Sequence, residues 1–413
     1  MHHCTLNGYM QSVKFKNILP LIYQSLGRLL AQGLSFIIGV LMVRYLGLNI
    51  YGEYSKYNAL VNISFGVFAT GIYNVYLREN KIEILRSSLI FMLYLFLVFV
   101  LLLYPLNVLV IHEKLLNLFL FLLMAFFMRL MEFYVISMRF VEKDFQSIIP
   151  RVLPYVLSII LMVTFKPLEI SKLLILFILS WSTVLLFFYQ FKGALRNKPI
   201  NGYRQLKATF FLTLITLATQ IYSNVDQLMI SSILNDEKLG IYKLGISFSV
   251  VVMPLISVFS FVYLSTLKKT LVSETLYEVR KTFYSQLLTN SIVSIFFVLL
   301  CFFFLDKTIT FIYGFTDPAA SEVGVIMALG VLFNVMSMVI SYALLAIGKD
   351  REILVIVSLG AVINIVLNYS IIPAFELIGA AWSSVFTQFV ILILFLYEFY
   401  FRTRFFLNYK SFL

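Results

Sequence analysis

The feature that most constrains this chain is the recurrence of apolar runs long enough to cross a bilayer. About twenty apolar residues make a helix of ~30 Å, the thickness of the hydrocarbon core. Twelve such runs follow one another, at 18–42, 53–77, 88–111, 115–138, 148–165, 169–191, 209–234, 240–267, 285–305, 321–347, 352–372 and 377–400. Lipid offers backbone amides no partner, so each run must satisfy its own as a helix. The expected fold class is an all-α polytopic membrane protein with about twelve transmembrane helices. Of 413 residues, 61% are hydrophobic and 13% charged, and no polar stretch is long enough for a soluble domain. The net charge of +12 is scattered over short connections, which speaks against nucleic acid as a partner. Two cysteines, Cys4 and Cys301, supply neither a disulfide framework nor metal spacing, and His2-His3-Cys4 reads as part of a tail.

Charge in the connections sets the orientation. One side of the membrane collects twenty-two Lys and Arg, Arg151 among them, and the other six. The excess marks the cytoplasm and places both termini there. The opening residues lack a signal-peptide pattern, so the first run is expected to stay as a span. The most polar connection, Lys192–Lys207, follows the sixth run. The chain then divides into a cytoplasmic tail (1–17), a first six-helix bundle (18–191), a linker (192–208), a second bundle (209–400) and a cytoplasmic tail (401–413). An even number of spans returns the second half to the same orientation, so the repeat is a parallel one. Two echoes fit it: Gly52-x-Tyr54 with Gly240-x-Tyr242, and Asp144…Pro167 with Asp350…Pro373. The fifth run carries Pro150 and Pro154 and is expected to be kinked or tilted.

The polar residues inside the spans are the candidate site. Gln24, Arg28 and Gln32, four apart, share one face of the first helix, and Arg28 lies ~15 Å deep at ~1.5 Å per residue. A guanidinium there faces a cavity, where it could bind an anion, or is capped by carbonyls of neighbouring helices. Asn58 and Asn62 line the same cavity or bond between helices. The seventh run bears a stripe that includes Gln220, Asn224 and Gln227, beside the lone carboxylate Asp226. Asp226 is either an ion-coupling group or half of an ion pair with another helix. Arg129 and Glu132, three apart, are expected to form a structural pair within one helix. Lys56 and Lys243 are expected to snorkel toward the boundary. Asn364 with Asn368, and Asn334 with Ser337 and Ser341, read as helix contacts. Neither a metal site nor a nucleotide-binding Gly-Lys motif is expected, no cofactor is implied, and no loop holds a catalytic set.

The segment Tyr45-Leu46-Gly47-x-x-x-Tyr51-Gly52-Glu53-Tyr54 resembles the link after the first helix of Wzx-type lipid-linked oligosaccharide flippases. Asn224-Val225-Asp226-Gln227-Leu228-Met229-Ile230 before Leu239-Gly240-Ile241-Tyr242 is similar to their seventh helix, with Gln227 where a Lys is common. Asn364-Ile365-Val366-Leu367-Asn368, Ile371-Ile372-Pro373 and Ile378-Gly379-Ala380-Ala381 resemble their last two helices. The lipid II flippase branch, typically of fourteen helices, fits twelve runs less well. The resemblance implies the multidrug/oligosaccharidyl-lipid/polysaccharide exporter (MOP) fold, two six-helix bundles around a central cavity that work by alternating access. It implies an undecaprenyl-diphosphate-linked glycan cargo carried across the bacterial inner membrane for O-antigen, capsule or exopolysaccharide assembly. Possible protein partners are a polysaccharide polymerase and a chain-length regulator. A multidrug cation antiporter of the same superfamily is the alternative, then a polymerase or acyltransferase, and last a structural scaffold.

Overall fold

The structure, a computed structural model, describes residues 4–79, 92–94, 96–98, 100–101, 114–140, 145–188, 202–273, 275–314 and 317–408. Every regular element among them is helical. The principal elements are α1 (Cys4–Glu79), α2 (Leu115–Phe140), α3 (Ile148–Phe165), α4 (Ile170–Ser182), α5 (Val184–Phe188), α6 (Gly202–Ile233), α7 (Asp236–Ser273), α8 (Leu276–Tyr313), α9 (Pro318–Ala346), α10 (Asp350–Tyr397) and α11 (Phe405–Asn408).

Two of these are too long for one crossing, and each turns at a single residue. The 76-residue α1 breaks at Gly47, φ 84°, a conformation glycine adopts freely. It separates the first crossing from the second. The 48-residue α10 breaks at Glu376, φ 47°, three residues after Pro373. Seven helical stretches among the described residues are long and apolar enough to span a membrane, the two bent ones included. Most of the third apolar run and of the 192–208 linker lies outside the described residues.

Residues expected in the N-terminal tail are helical from Cys4 onward and continue into α1. The fifth run is an uninterrupted helix through the buried Pro154. Its last turn closes on Lys166, whose left-handed backbone lets its N–H reach the Met162 carbonyl. At the start of α9, Asp317 accepts a hydrogen bond from the Ala319 amide at 2.9 Å, with Pro318 in the first turn where its missing N–H costs nothing.

The halves meet along α1, α6 and α7. A Cβ on Gly52 would lie 1.7 Å from the Asp236 carbonyl oxygen, and one on Gly240 2.3 Å from the Leu48 oxygen. Neither position has room for a side chain, so the two Gly-x-Tyr echoes seal one end of the bundle by backbone contact. At the opposite end of the second half, Phe399 stacks between Phe283 and Phe405 at centroid distances of 4.8 and 4.6 Å.

Candidate functional site

Between the halves lies a cavity of about 840 Å³, within the usual range for small-molecule sites. Arg28, Gln32, Asn58 and Asn62 reach it from α1, Arg129 and Glu132 from α2, and Gln220, Asn224, Asp226 and Gln227 from α6. The residues singled out on four different apolar runs thus converge on one space. The side chain of Gln24 lies outside the described residues.

The α6 stripe divides. Gln220, Ser223, Asn224 and Gln227 face the cavity, whereas Thr216 is buried and returns its hydroxyl to the Leu212 carbonyl at 2.8 Å. Asn224 donates to the Gln220 carbonyl at 2.9 Å and its side chain at 3.0 Å, which fixes the amide pair in register. Asp226 is held from three elements: by the Tyr242 hydroxyl of α7 at 2.6 Å, the Ser384 hydroxyl of α10 at 3.4 Å and the Gln227 amide at 2.8 Å. Arg129 and Glu132 form the expected pair at 2.8 Å.

Several residues play parts that sequence reasoning missed. Arg151, counted with the cytoplasmic connections, sits in α3 and lines the cavity. Its Nη1 is 3.3 Å from where a Cβ of Gly27 would be, so it lies over the residue preceding Arg28. Lys56 and Lys243 do not snorkel. Lys56 pairs with Asp236 at 2.8 Å across the two halves, and Asp236 also accepts from Ser231. Lys243 lines the cavity and donates to the Gln227 side chain at 3.0 Å. Asn334, read as a helix contact, also lines the cavity, while Asn364 and Asn368 are fully buried and bond to Thr387 and to each other. The spacing of Lys243, one residue after the repeated tyrosine, was the available clue.

The lining carries Arg28, Arg129, Arg151 and Lys243 against Glu132 and Asp226, a cationic excess in a space walled by hydrocarbon. Charges there act at low dielectric and strongly favour an anionic ligand. A second chamber of about 200 Å³ adjoins it, lined by Tyr51, Tyr54, Phe177 and Ser158, and sharing Gln32, Asn58, Tyr155, Trp181 and Lys243 with the first.

The architecture matches solved transporters over nearly its whole length. The MATE multidrug transporter DinF-BH, solved as a ligand complex, superposes with a TM-score of 0.73 at 15% identity, covering 95% of each chain. The chain shares the fold of that transporter. About twelve crossings in two six-helix bundles around a central cavity follow from it. The inward closed lipid II flippase MurJ superposes with a TM-score of 0.69 at 16% identity, covering 94% of this chain and 90% of that one. A MOP superfamily transporter from Pyrococcus furiosus, described as having a binding pocket of reverse polarity, gives 0.66 at 13% identity, over 95% and 96%. The MatE family model matches residues 212–370. No curated protein matches by sequence.

Proposed function

We propose that this protein is a flippase for undecaprenyl-diphosphate-linked oligosaccharide repeat units, carrying them from the cytoplasmic to the periplasmic leaflet. The observation that carries this reading is the cationic excess of the cavity, which Arg28 of α1 and Arg151 of α3 both line, with Arg151 packed over Gly27. A diphosphate needs such a pair, because guanidinium forks match phosphate oxygens bidentately. The amides of Gln32, Asn58, Asn62, Gln220, Asn224 and Gln227 supply neutral hydrogen bonds suited to a glycan. The lipid tail stays in the bilayer.

The seal at Gly52 and Gly240 is the periplasmic one if the charge bias of the connections sets orientation. Rocking of one half against the other opens it. Asp226 is the candidate for ion coupling: a proton or sodium ion arriving there competes with Tyr242 and Ser384, and so with the packing of α6 on α7 and α10. The bacterial inner membrane, with both termini cytoplasmic, is the proposed location, and a polymerase and chain-length regulator the proposed protein partners.

The similarity to DinF-BH favours a second reading, export of a drug-like molecule. One experiment separates them. Arg28→Ala in the native host is expected to abolish surface polysaccharide and to accumulate lipid-linked repeat units inside, while the protein still inserts. Normal surface polysaccharide, with dye efflux lost instead, would establish the second reading.

A further inference from the structure

The smaller chamber differs from the larger in chemistry as well as size. Its 200 Å³ fall below the roughly 300–1,000 Å³ of sites for drug-sized ligands, leaving room for about one ring. Its walls are aromatic: Tyr54 meets Phe177 edge-on at 5.9 Å, and Trp181 meets Tyr155 in the same way at 5.0 Å on the wall shared with the larger cavity. Between the rings stand neutral polar groups, and Lys243, at the seam with the larger cavity, is its one charged lining residue among those described. Ser158 lines the chamber, is 1% exposed, and its hydroxyl has no hydrogen-bond partner among the described residues. A hydroxyl left so inside a membrane protein is costly and calls for a polar ligand atom.

We infer that this chamber is a single-sugar subsite that takes the pyranose nearest the diphosphate. A pyranose has an apolar C–H face for an aromatic wall and a rim of hydroxyls for Ser158, Gln32 and Asn58. A drug-like aromatic ligand would leave those groups unsatisfied, and a second phosphate would find only Lys243. The inference rests on the glycan-lipid reading of the larger cavity and assigns the first sugar its place within it.

The protein has two tryptophans, and the other, Trp382, is 49% exposed on the outer surface of α10. The full-length Trp382→Phe variant therefore leaves Trp181, on the wall between the two chambers, as the sole tryptophan reporter. It is titrated in detergent with farnesyl diphosphate, and with farnesyl diphosphate bearing glucose, galactose, N-acetylglucosamine or N-acetylgalactosamine. At least one sugar-bearing probe is expected to quench Trp181 and to bind about tenfold more tightly than the sugar-free probe. Adding Ser158→Ala should cut that advantage about fivefold, the worth of one neutral hydrogen bond, and leave farnesyl diphosphate binding unchanged. If farnesyl diphosphate binds and no sugar improves it, the subsite is overturned and the anion site stands. If neither kind of probe binds, the reading of the larger cavity falls and the subsite falls with it.

Discussion

A Cβ on Gly52 would stand 2.9 Å from the backbone nitrogen of Gly240. Two glycines from opposite halves thus let α1 and α7 close on each other without an intervening side chain. The closure is as rigid as two backbones, and one methyl group is enough to disturb it.

Gly52→Ala is therefore expected to weaken the seal by about 1–3 kcal/mol, the usual cost of overpacking. The check is Ser55→Cys, a buried position in the small chamber. Its alkylation by a membrane-impermeant maleimide added outside cells should be several-fold faster when Gly52 is also replaced.

Lys56 and Asp236 join the halves beside that seal, with side chains only 12% and 23% exposed. Either Lys56→Gln or Asp236→Asn should destabilise the closed form, since each leaves a poorly solvated charge behind. A double-mutant cycle on thermal unfolding is expected to give about 1–3 kcal/mol of coupling, against nearly zero for distant residues.

Glu376 holds φ 47° at the turn in α10 while its carboxylate meets Lys238 at 2.6 Å. Left-handed backbone costs about 1–2 kcal/mol in a residue with a Cβ, whereas an exposed ion pair is worth about 0–1 kcal/mol. Glu376→Gly should leave the melting temperature unchanged or raise it, and Glu376→Val, with its branched side chain, should lower it.

Thr387 accepts from Asn364 at 3.3 Å in a fully buried setting. Thr387→Val preserves shape but removes the acceptor, so the loss should be about 1–3 kcal/mol by denaturant or heat.

Arg151→Ala should weaken farnesyl diphosphate binding about 10- to 100-fold by calorimetry, the value of one charge-assisted hydrogen bond. Arg151→Lys keeps the charge but not the fork, and should recover only part of it.

The division into spans could be read from sequence because bilayer thickness and backbone hydrogen bonding leave a long apolar run few choices. Arg28, Gln32, Asn58, Asn62 and the lower α6 stripe were legible for the same reason: a polar group deep in a span needs a polar neighbour, and the structure brings these to one cavity. Arg151 was not legible. It lies in the first turn of α3 between two prolines, where composition alone reads as a cytoplasmic connection. Lys56 and Lys243 were misread because snorkelling and inward pairing suit the same depth; only the positions of Asp236 and Gln227 on other helices decide between them. Pairings across halves depend on how the bundles dock, which no single run encodes.

Lys243 is the one charged side chain among the described residues that borders both chambers. Its ammonium rides on a flexible four-carbon stem. An anion drawn toward the Gly52 end would therefore keep the same counter-ion from one compartment to the next. Handing it on then requires a swing of one side chain, with no moment at which a bare charge faces hydrocarbon.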